Sequence, residues 1–359
     1  MQVHRVLAWA ALALVSGLLA GCTPGGFLAG RILRSPNRYP EWVAPDARLY
    51  LDFNPGIVEG LPRHTFDAPG VAPLANDPAR ISYRVVPPAQ YRLVAHVKHL
   101  VERGRLKPEY RFERAIPAPP HPAGTKPRGT VFLLHGYGLS QGSMLPWAFW
   151  CGDLGWNSVL VDLRGHGRST GRHISFGPAE VRELEALMQH LERDAPLPRP
   201  IVVLGVSYGG AMALRWAAAS RDIHSAIAIA PYPRLGPAAE GIRADFAPAV
   251  PAFLVRQAIG ALPRRLGVPP EDLDTLGALR KGRPKALLLA SDADVIAPPG
   301  DVEELQVACL EGSRLAVVHG PPHEELQFRL DLLDAHVRRW LADSADGLPK
   351  APGLPRPEL

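Results

Sequence analysis

From residue 130 onward the chain alternates between unbroken apolar runs of strand length and stretches whose apolar residues recur every three to four positions. Thr130 to Leu134, Asn157 to Leu163, Ile201 to Val206, Ile223 to Ala230, Ala286 to Ser291 and Arg314 to Val318 are of the first kind, and each is predicted to be a strand. Ser143 to Leu154, Pro178 to Arg193, Gly210 to Ser220, Asp301 to Leu310 and Glu324 to Ala342 are of the second kind and predict helices. In the last of these, Leu326, Leu330, Leu333, Val337 and Trp340 form one apolar stripe. A strand that is apolar on both faces must be covered on both faces, and helices between such strands supply the cover. The fold class is therefore α/β, with a mostly parallel central sheet and helices on both sides. Sites in such sheets gather beyond the carboxyl ends of the strands.

The segments around this core have a different pattern. Ile81 to Val86, Tyr91 to Leu100 and Tyr110 to Ile116 show some apolar and polar alternation and end near prolines, which predicts antiparallel edge strands in an N-terminal extension over 41–125. Residues 45–80 carry prolines and aromatics without a period. The core spans 126–342 and a disordered tail is expected over 343–359. Within the core, the insertion from Pro231 to Pro284 holds Phe246, Val250, Phe253, Leu254, Ile259 and Leu262, which predict short helices with an apolar underside.

At the N-terminus, Met1 to Arg5 is a short basic lead, Val6 to Ala20 is almost wholly apolar, and Leu19-Ala20-Gly21-Cys22 follows. About 15 apolar residues fall short of the roughly 20 that cross a bilayer as a helix, so 1–21 is expected to be a secretory signal peptide. Leu19-Ala20-Gly21-Cys22 resembles the bacterial lipobox. That resemblance implies cleavage before Cys22 and acylation of the new N-terminus, hence an exported lipoprotein held on the cell envelope through Cys22. Several acyl chains hold a protein stably on a membrane where one does not. Thr23 stands where an aspartate commonly marks inner-membrane retention, so outer-membrane attachment is expected if the source is Gram-negative. Gly, Pro and Arg dominate the next residues, and 22–40 is expected to be a flexible tether.

The sequence has 359 residues, 47% of them hydrophobic and 21% charged, enough to bury one large core. Its formal charge of +5 is dispersed, with arginines among acids and not in runs or interleaved with aromatics, so no nucleic acid is expected as a partner. The histidines show no metal-ligand spacing, and Gly165-His166-Gly167 lacks the third glycine of a dinucleotide fingerprint, so no cofactor or metal is expected. Beyond Cys22 only Cys151 and Cys309 remain, a number that permits one disulfide.

The candidate chemistry centres on Ser207. It lies in Gly205-Val206-Ser207-Tyr208-Gly209, between an apolar strand and an alanine-rich helix, and the flanking glycines remove side chains that would collide in a sharp strand-to-helix turn. Three further patterns accompany it. His135-Gly136-Tyr137-Gly138 follows the first parallel strand, Asp162-Leu163-Arg164-Gly165-His166-Gly167-Arg168-Ser169 follows the second, and an aspartate and then a histidine follow later strands. Jointly these make the chain resemble the α/β-hydrolase family over roughly Tyr110 to Ala342, and from Ile81 at the widest.

The resemblance implies a serine hydrolase acting on a carboxylic ester or related acyl bond of a small molecule through an acyl-enzyme. Esterase or monoacylglycerol-lipase-like activity leads, with amidase or peptidase behind it; a membrane-anchored binding protein without turnover is the other class. A serine hydroxyl needs an adjacent base. His323, just before the last helix where the family has its base, is the expected one, and His319 at the strand end is its rival. Asp294 precedes a short apolar stretch leading into proline, as the family's acid does, and is expected to orient the imidazole. Asp292 is then a turn former. The family's two oxyanion donors match the backbone N–H groups of Tyr137 and Tyr208. His135 is expected to brace its loop, and Asp162 to fix another. The insertion at 231–284 lies where the family carries its cap. In the family the helices bearing Cys151 and Cys309 pack on opposite sheet faces, so the resemblance implies that these cysteines are not bridged.

Overall fold

Strands and helices alternate in the order α1 (Pro24–Ile32), β1 (His64–Asp67), β2 (Arg80–Val86), β3 (Arg92–Glu102), β4 (Arg105–Ala115), β5 (Thr130–Leu134), α2 (Leu145–Asp153), β6 (Asn157–Asp162), α3 (Pro178–Asp194), β7 (Ile201–Val206), α4 (Tyr208–Ala219), β8 (Ile223–Ile229), α5 (Leu235–Phe246), α6 (Ala252–Leu266), α7 (Thr275–Lys281), β9 (Ala286–Ser291), α8 (Pro299–Ala308), β10 (Arg314–Val318), α9 (His323–Leu326) and α10 (Leu330–Asp346). The structure is a computed structural model and describes residues 24–36, 61–89, 92–102, 105–115 and 126–346. The signal peptide, Cys22 and the far end of the tail lie outside the described residues.

Eight strands form one sheet in the order β1-β2-β6-β5-β7-β8-β9-β10. From β6 to β10 the neighbours are parallel, while β1 and β2 run antiparallel at one side. Every residue of β5, β7 and β9 is buried, which is why these strands are apolar without alternation. On one face α2 and α10 meet, with the Arg338 guanidinium 5.5 Å above the Trp150 ring. Elsewhere around the sheet α3 packs on α4, α4 on α7 and α7 on α8. Cys151 and Cys309 are both buried free thiols.

Several expectations are corrected. Residues 24–36 are not a free tether, because α1 packs along α6. The small residues Gly25 and Ala29 are buried on one side of α1, and a Cβ on Gly25 would come within 2.5 Å of Gln257 Cβ. Beyond α1, Ser35 Oγ donates to Gly165 O at 2.6 Å and Ser35 N to Arg172 O at 2.9 Å. The strands at 92–102 and 105–115 do not join the sheet edge. They form their own two-stranded ladder from Arg92↔Ala115 to Glu102↔Arg105, since two antiparallel strands so close in sequence satisfy each other's backbone groups. β1 arises inside the stretch that lacked a period, paired to β2 from His64↔Tyr83 to Asp67↔Arg80.

The last predicted helix is two, α9 and α10. It breaks at Gln327, whose carbonyl accepts the buried Trp147 Nε1–H at 2.9 Å and so is directed across to α2. α10 runs on to Asp346, so the described part of the tail, 343–346, is helical. In the insertion Leu262 is buried, but Phe246 and Phe253 face solvent and not an underside.

The loop after β6 is fixed by two buried polar side chains. Asp162 accepts from Gln141 N at 2.7 Å, Gln141 Nε2 at 2.7 Å and Arg168 N at 3.0 Å, filling the space where a Gly167 side chain would stand. Arg164 meets Glu183 of α3 at 2.9 Å and donates to Asp77 O and His173 O, each at 2.6 Å. Burial pushes the Glu183 carboxyl up to about 7 against the pull of Arg164.

Removing Arg164 leaves Glu183 buried without its cation and raises its folded pKa further. Arg164→Met is therefore expected to cost about 3 kcal/mol or more at pH 8 in urea unfolding, less at pH 5 where Glu183 takes up a proton, with Arg164→Met/Glu183→Met recovering part of the loss.

Candidate active site

β7 ends in a corner that only glycine tolerates at two positions. A Cβ on Gly205 would lie 2.0 Å from Gly209 O, and one on Gly209 would lie 2.3 Å from Leu134 O and 2.6 Å from His135 O. Between them Ser207 adopts φ 51° and ψ −112°, a conformation that side chains other than glycine rarely take. Its N–H donates to Ile229 O at 2.7 Å and its carbonyl accepts from Ala211 N at 2.9 Å, so the corner is tied to β8 behind it and to α4 ahead.

Two loops beyond the carboxyl ends of β9 and β10 meet at this corner. His323, the first residue of α9, has Nε2 at 2.8 Å from Ser207 Oγ and Nδ1 at 2.7 Å from Asp294 Oδ2. Since a carboxylate only accepts, Nδ1 carries the proton and Nε2 is left as acceptor for the serine hydroxyl. The Asp294 side chain is fully buried, and its Oδ1 accepts from Ile296 N and Ala297 N, both at 2.8 Å. Burial alone would raise the Asp294 carboxyl, but the hydrogen bond to His323, with the two backbone donors, holds it below its ordinary value. Ser291 Oγ donates to Pro321 O at 2.5 Å and binds the two loops together.

The rival residues form a second pair elsewhere. His319 Nδ1 is hydrogen-bonded to Asp292, with the His319 side chain 94% exposed. Asp292 also accepts from Gly320 N at 2.9 Å, the backbone bonding of a turn residue. Its carboxyl is held down by that backbone donor and by His319.

Tyr208 opens α4 and Tyr137 lies in the loop after β5. That loop passes beside the serine, a Cβ on Gly136 being 3.9 Å from Ser207 Cβ. His135 braces it from within, Nδ1 toward Gly136 O at 2.8 Å and Nε2 accepting from Leu163 N at 3.0 Å; burial lowers its pKa to about 4, so it stays neutral. The Tyr137 ring meets Tyr208 edge-on at 6.1 Å and stacks on Phe176 at 6.4 Å. Phe176 was missed in the sequence. Its φ of 55° and the following Gly177, packed where a Cβ would be 2.2 Å from Arg215 Nε, turn its ring toward the tyrosines. The Phe-Gly-Pro start of α3 signals only a turn. Among the described residues no group of His, Cys, Asp and Glu could hold a metal ion.

A family model described as serine aminopeptidase, S33, matches residues 125–277. A monoacylglycerol lipase of Mycolicibacterium smegmatis is 33% identical over 153 residues, which is 42% of this chain and 50% of that protein. The Bacillus subtilis protein YqkD is 31% identical over 90 residues, 25% of this chain and 30% of that protein. The matches thus span half or less of these relatives' own length. Among solved structures, the Pyrococcus furiosus esterase Pf2001 superposes over 87% of this chain and 97% of its own with a TM-score of 0.55 at 18% identity. The α/β hydrolase GrgF of a Penicillium species does so over 79% and 97% with a TM-score of 0.51 at 17% identity. The fold is the α/β-hydrolase fold, an open eight-stranded, mostly parallel sheet with helices around it.

The atoms that a Gly209 side chain would meet are main chain and cannot step aside. Gly209→Ala is expected to cost more than about 2 kcal/mol in urea unfolding. Gly260→Ala, in the middle of α6 with no atom within 4 Å of its Cβ, is the control and should leave stability unchanged or raise it by up to about 1 kcal/mol.

Proposed function

We propose that the chain is a serine hydrolase that cleaves carboxylic esters, or closely related acyl bonds, through an acyl-enzyme on Ser207. The observation that carries this reading is the continuous relay from Ser207 Oγ through His323 to the buried Asp294, at 2.8 Å and 2.7 Å. In the first step Oγ bonds to the acyl carbon while its proton passes to His323 Nε2, and Asp294 steadies the imidazolium that results. The oxyanion then accepts from the backbone N–H groups of Tyr208, at the N-terminus of α4, and Tyr137; each such donor contributes about 3 kcal/mol in comparable enzymes. Collapse breaks the carbon–oxygen bond of the ester, and His323 returns its proton to the departing alcohol. Water, deprotonated by the same histidine, releases the acid and restores Ser207.

The matching family model favours a second reading, an aminopeptidase, in which the same steps act on an amide. An aminopeptidase must hold a substrate ammonium with a carboxylate, whereas the loop that passes beside Ser207 presents Tyr137, 38% exposed, its ring packed on those of Phe176 and Tyr208. Rings suit an apolar acyl group, and the mycobacterial relative is a monoacylglycerol lipase. We further propose that Cys22 is acylated and anchors the chain on a membrane, a reading supported by Leu19-Ala20-Gly21-Cys22.

A fluorophosphonate probe is expected to label the wild type and not Ser207→Ala; an unlabelled wild type refutes the hydrolase and leaves a binding protein. His323→Ala should lower kcat/KM by at least about 10³-fold and Asp294→Asn by a similar order. His319→Ala, which removes only an exposed hydrogen bond to Asp292, should stay within about twofold. p-Nitrophenyl esters of increasing chain length should outpace aminoacyl anilides, and the opposite order selects the peptidase. For the anchor, metabolic labelling with a clickable palmitate analogue should mark the wild type and be lost in Cys22→Ser.

A further inference from the structure

The steps at Ser207 give no role to a carboxyl buried at the start of α3. Glu180, the third residue of that helix, is buried. Its Oε1 accepts from Ser175 N at 2.7 Å, and its Oε2 accepts from Gly177 N at 2.8 Å and from the Ser175 hydroxyl. One carboxyl thus takes the backbone amides on both sides of Phe176. The Ser175 hydroxyl in turn accepts from Ala179 N at 2.8 Å.

A glutamate at the third position of a helix commonly satisfies the amide just before the first turn, and Gly177 N is that amide. The bond to Ser175 N is additional, because Ser175 stands ahead of the helix. Together the two bonds enclose Phe176, whose φ of 55° costs about 1–3 kcal/mol and persists only where the surroundings enforce it. The ring so directed touches both tyrosines, stacked on Tyr137 at 6.4 Å and edge-on to Tyr208 at 6.0 Å. Those are the residues whose backbone N–H groups face the oxyanion in the reading above. Glu180 also lies beside the Tyr208 hydroxyl: burial first, and the Glu180 carboxyl second, raise that phenol well above its ordinary value. The ring of His166 meets both tyrosines as well, from the loop after β6, with Nδ1 toward Arg164 O at 2.9 Å. The tyrosine pair is therefore packed from two separate loops, and one of them hangs on Glu180.

We propose that Glu180 is a positioning residue for the oxyanion site: by fixing the turn at 175–177 it sets the Phe176 ring against Tyr137 and Tyr208 and so holds their two N–H groups where the transition state needs them. The proposal rests on the reading of Ser207 as the nucleophile of an acyl transfer. Donors to an oxyanion act by standing in place before the charge develops, and a displacement of about 1 Å in a reacting geometry can lower the rate about 10²-fold. A glutamate that only capped α3 would contribute to stability and leave the turnover of the folded protein unchanged.

The test compares Glu180→Gln, Phe176→Leu and the double variant on the p-nitrophenyl ester that the wild type cleaves fastest, at a temperature where circular dichroism shows each to be folded. Glutamine keeps the shape but replaces one acceptor oxygen by a donor, so an amide beside Phe176 loses its partner. Each single variant is expected to lower kcat about tenfold with KM within about twofold. Because Glu180 acts through Phe176, the double variant should be no slower than about the slower single one. Inhibition by an alkyl trifluoromethyl ketone, whose adduct carries the oxyanion, should weaken by the same factor as kcat/KM. A lowered melting temperature with kcat unchanged makes Glu180 a helix cap and overturns the proposal. A raised KM at constant kcat makes Phe176 a substrate contact and overturns it as well, and losses that multiply to about 100-fold overturn action through the ring. Should Glu180→Gln not fold, Phe176→Leu decides alone, since an unchanged kcat there leaves the ring no part in the site. Fluorophosphonate labelling separates the two readings: an unlabelled wild type removes the hydrolase and the oxyanion site with it, whereas a labelled wild type with unaffected variants removes the positioning role only.

Discussion

No side chain fits between the first turn of α4 and the last carbonyls of β5, and the rest of the molecule is arranged around that fact. With Gly209 pressed on Leu134 O, the chain must leave β7 in a turn that forces Ser207 to φ 51°, at a cost of about 1–3 kcal/mol. Such strain persists only where the surroundings leave no alternative. Here they do so through a strand buried at every residue and a Ser207 N–H committed to Ile229 O. The loop after β5 is brought beside the serine by the same contact, and neutral His135 and buried Asp162 hold the two loops on that side from within.

The two His–Asp pairs separate chemistry from position. Both join an imidazole to a carboxylate by Nδ1, and both lie at the carboxyl ends of β9 and β10. They differ in what surrounds them. Asp294 is sealed from water and held by two backbone N–H groups, so its charge acts on His323 with little screening. Asp292 faces solvent, where the same charge on His319 is damped. Only the first pair ends at a hydroxyl.

The core strands are legible in the sequence because each is apolar through most of its length and bounded by residues that end strands; Ile201–Val206, Ala286–Ser291 and Arg314–Val318 match their predicted limits. The elbow and the meeting of Ser207, Asp294 and His323 are legible for a related reason, since glycine and proline mark the places where backbone must turn or approach closely. What is not legible depends on partners distant in sequence. α1 is too rich in glycine to show a period and is helical because α6 accepts its small face. The break between α9 and α10 follows from Trp147, 180 positions earlier, claiming the Gln327 carbonyl. Phe176 joins the rings beside the serine through a backbone angle that its residue type does not announce.

The hydroxyl of Ser291 bridges to Pro321 O, so the strand end that leads to Asp294 and the turn that leads to His323 are tied at a second point besides the His323–Asp294 contact itself. Separating Asp294 from His323 would stretch both that bond and their own at 2.7 Å, whereas separating His323 from Ser207 would stretch the 2.8 Å bond between them.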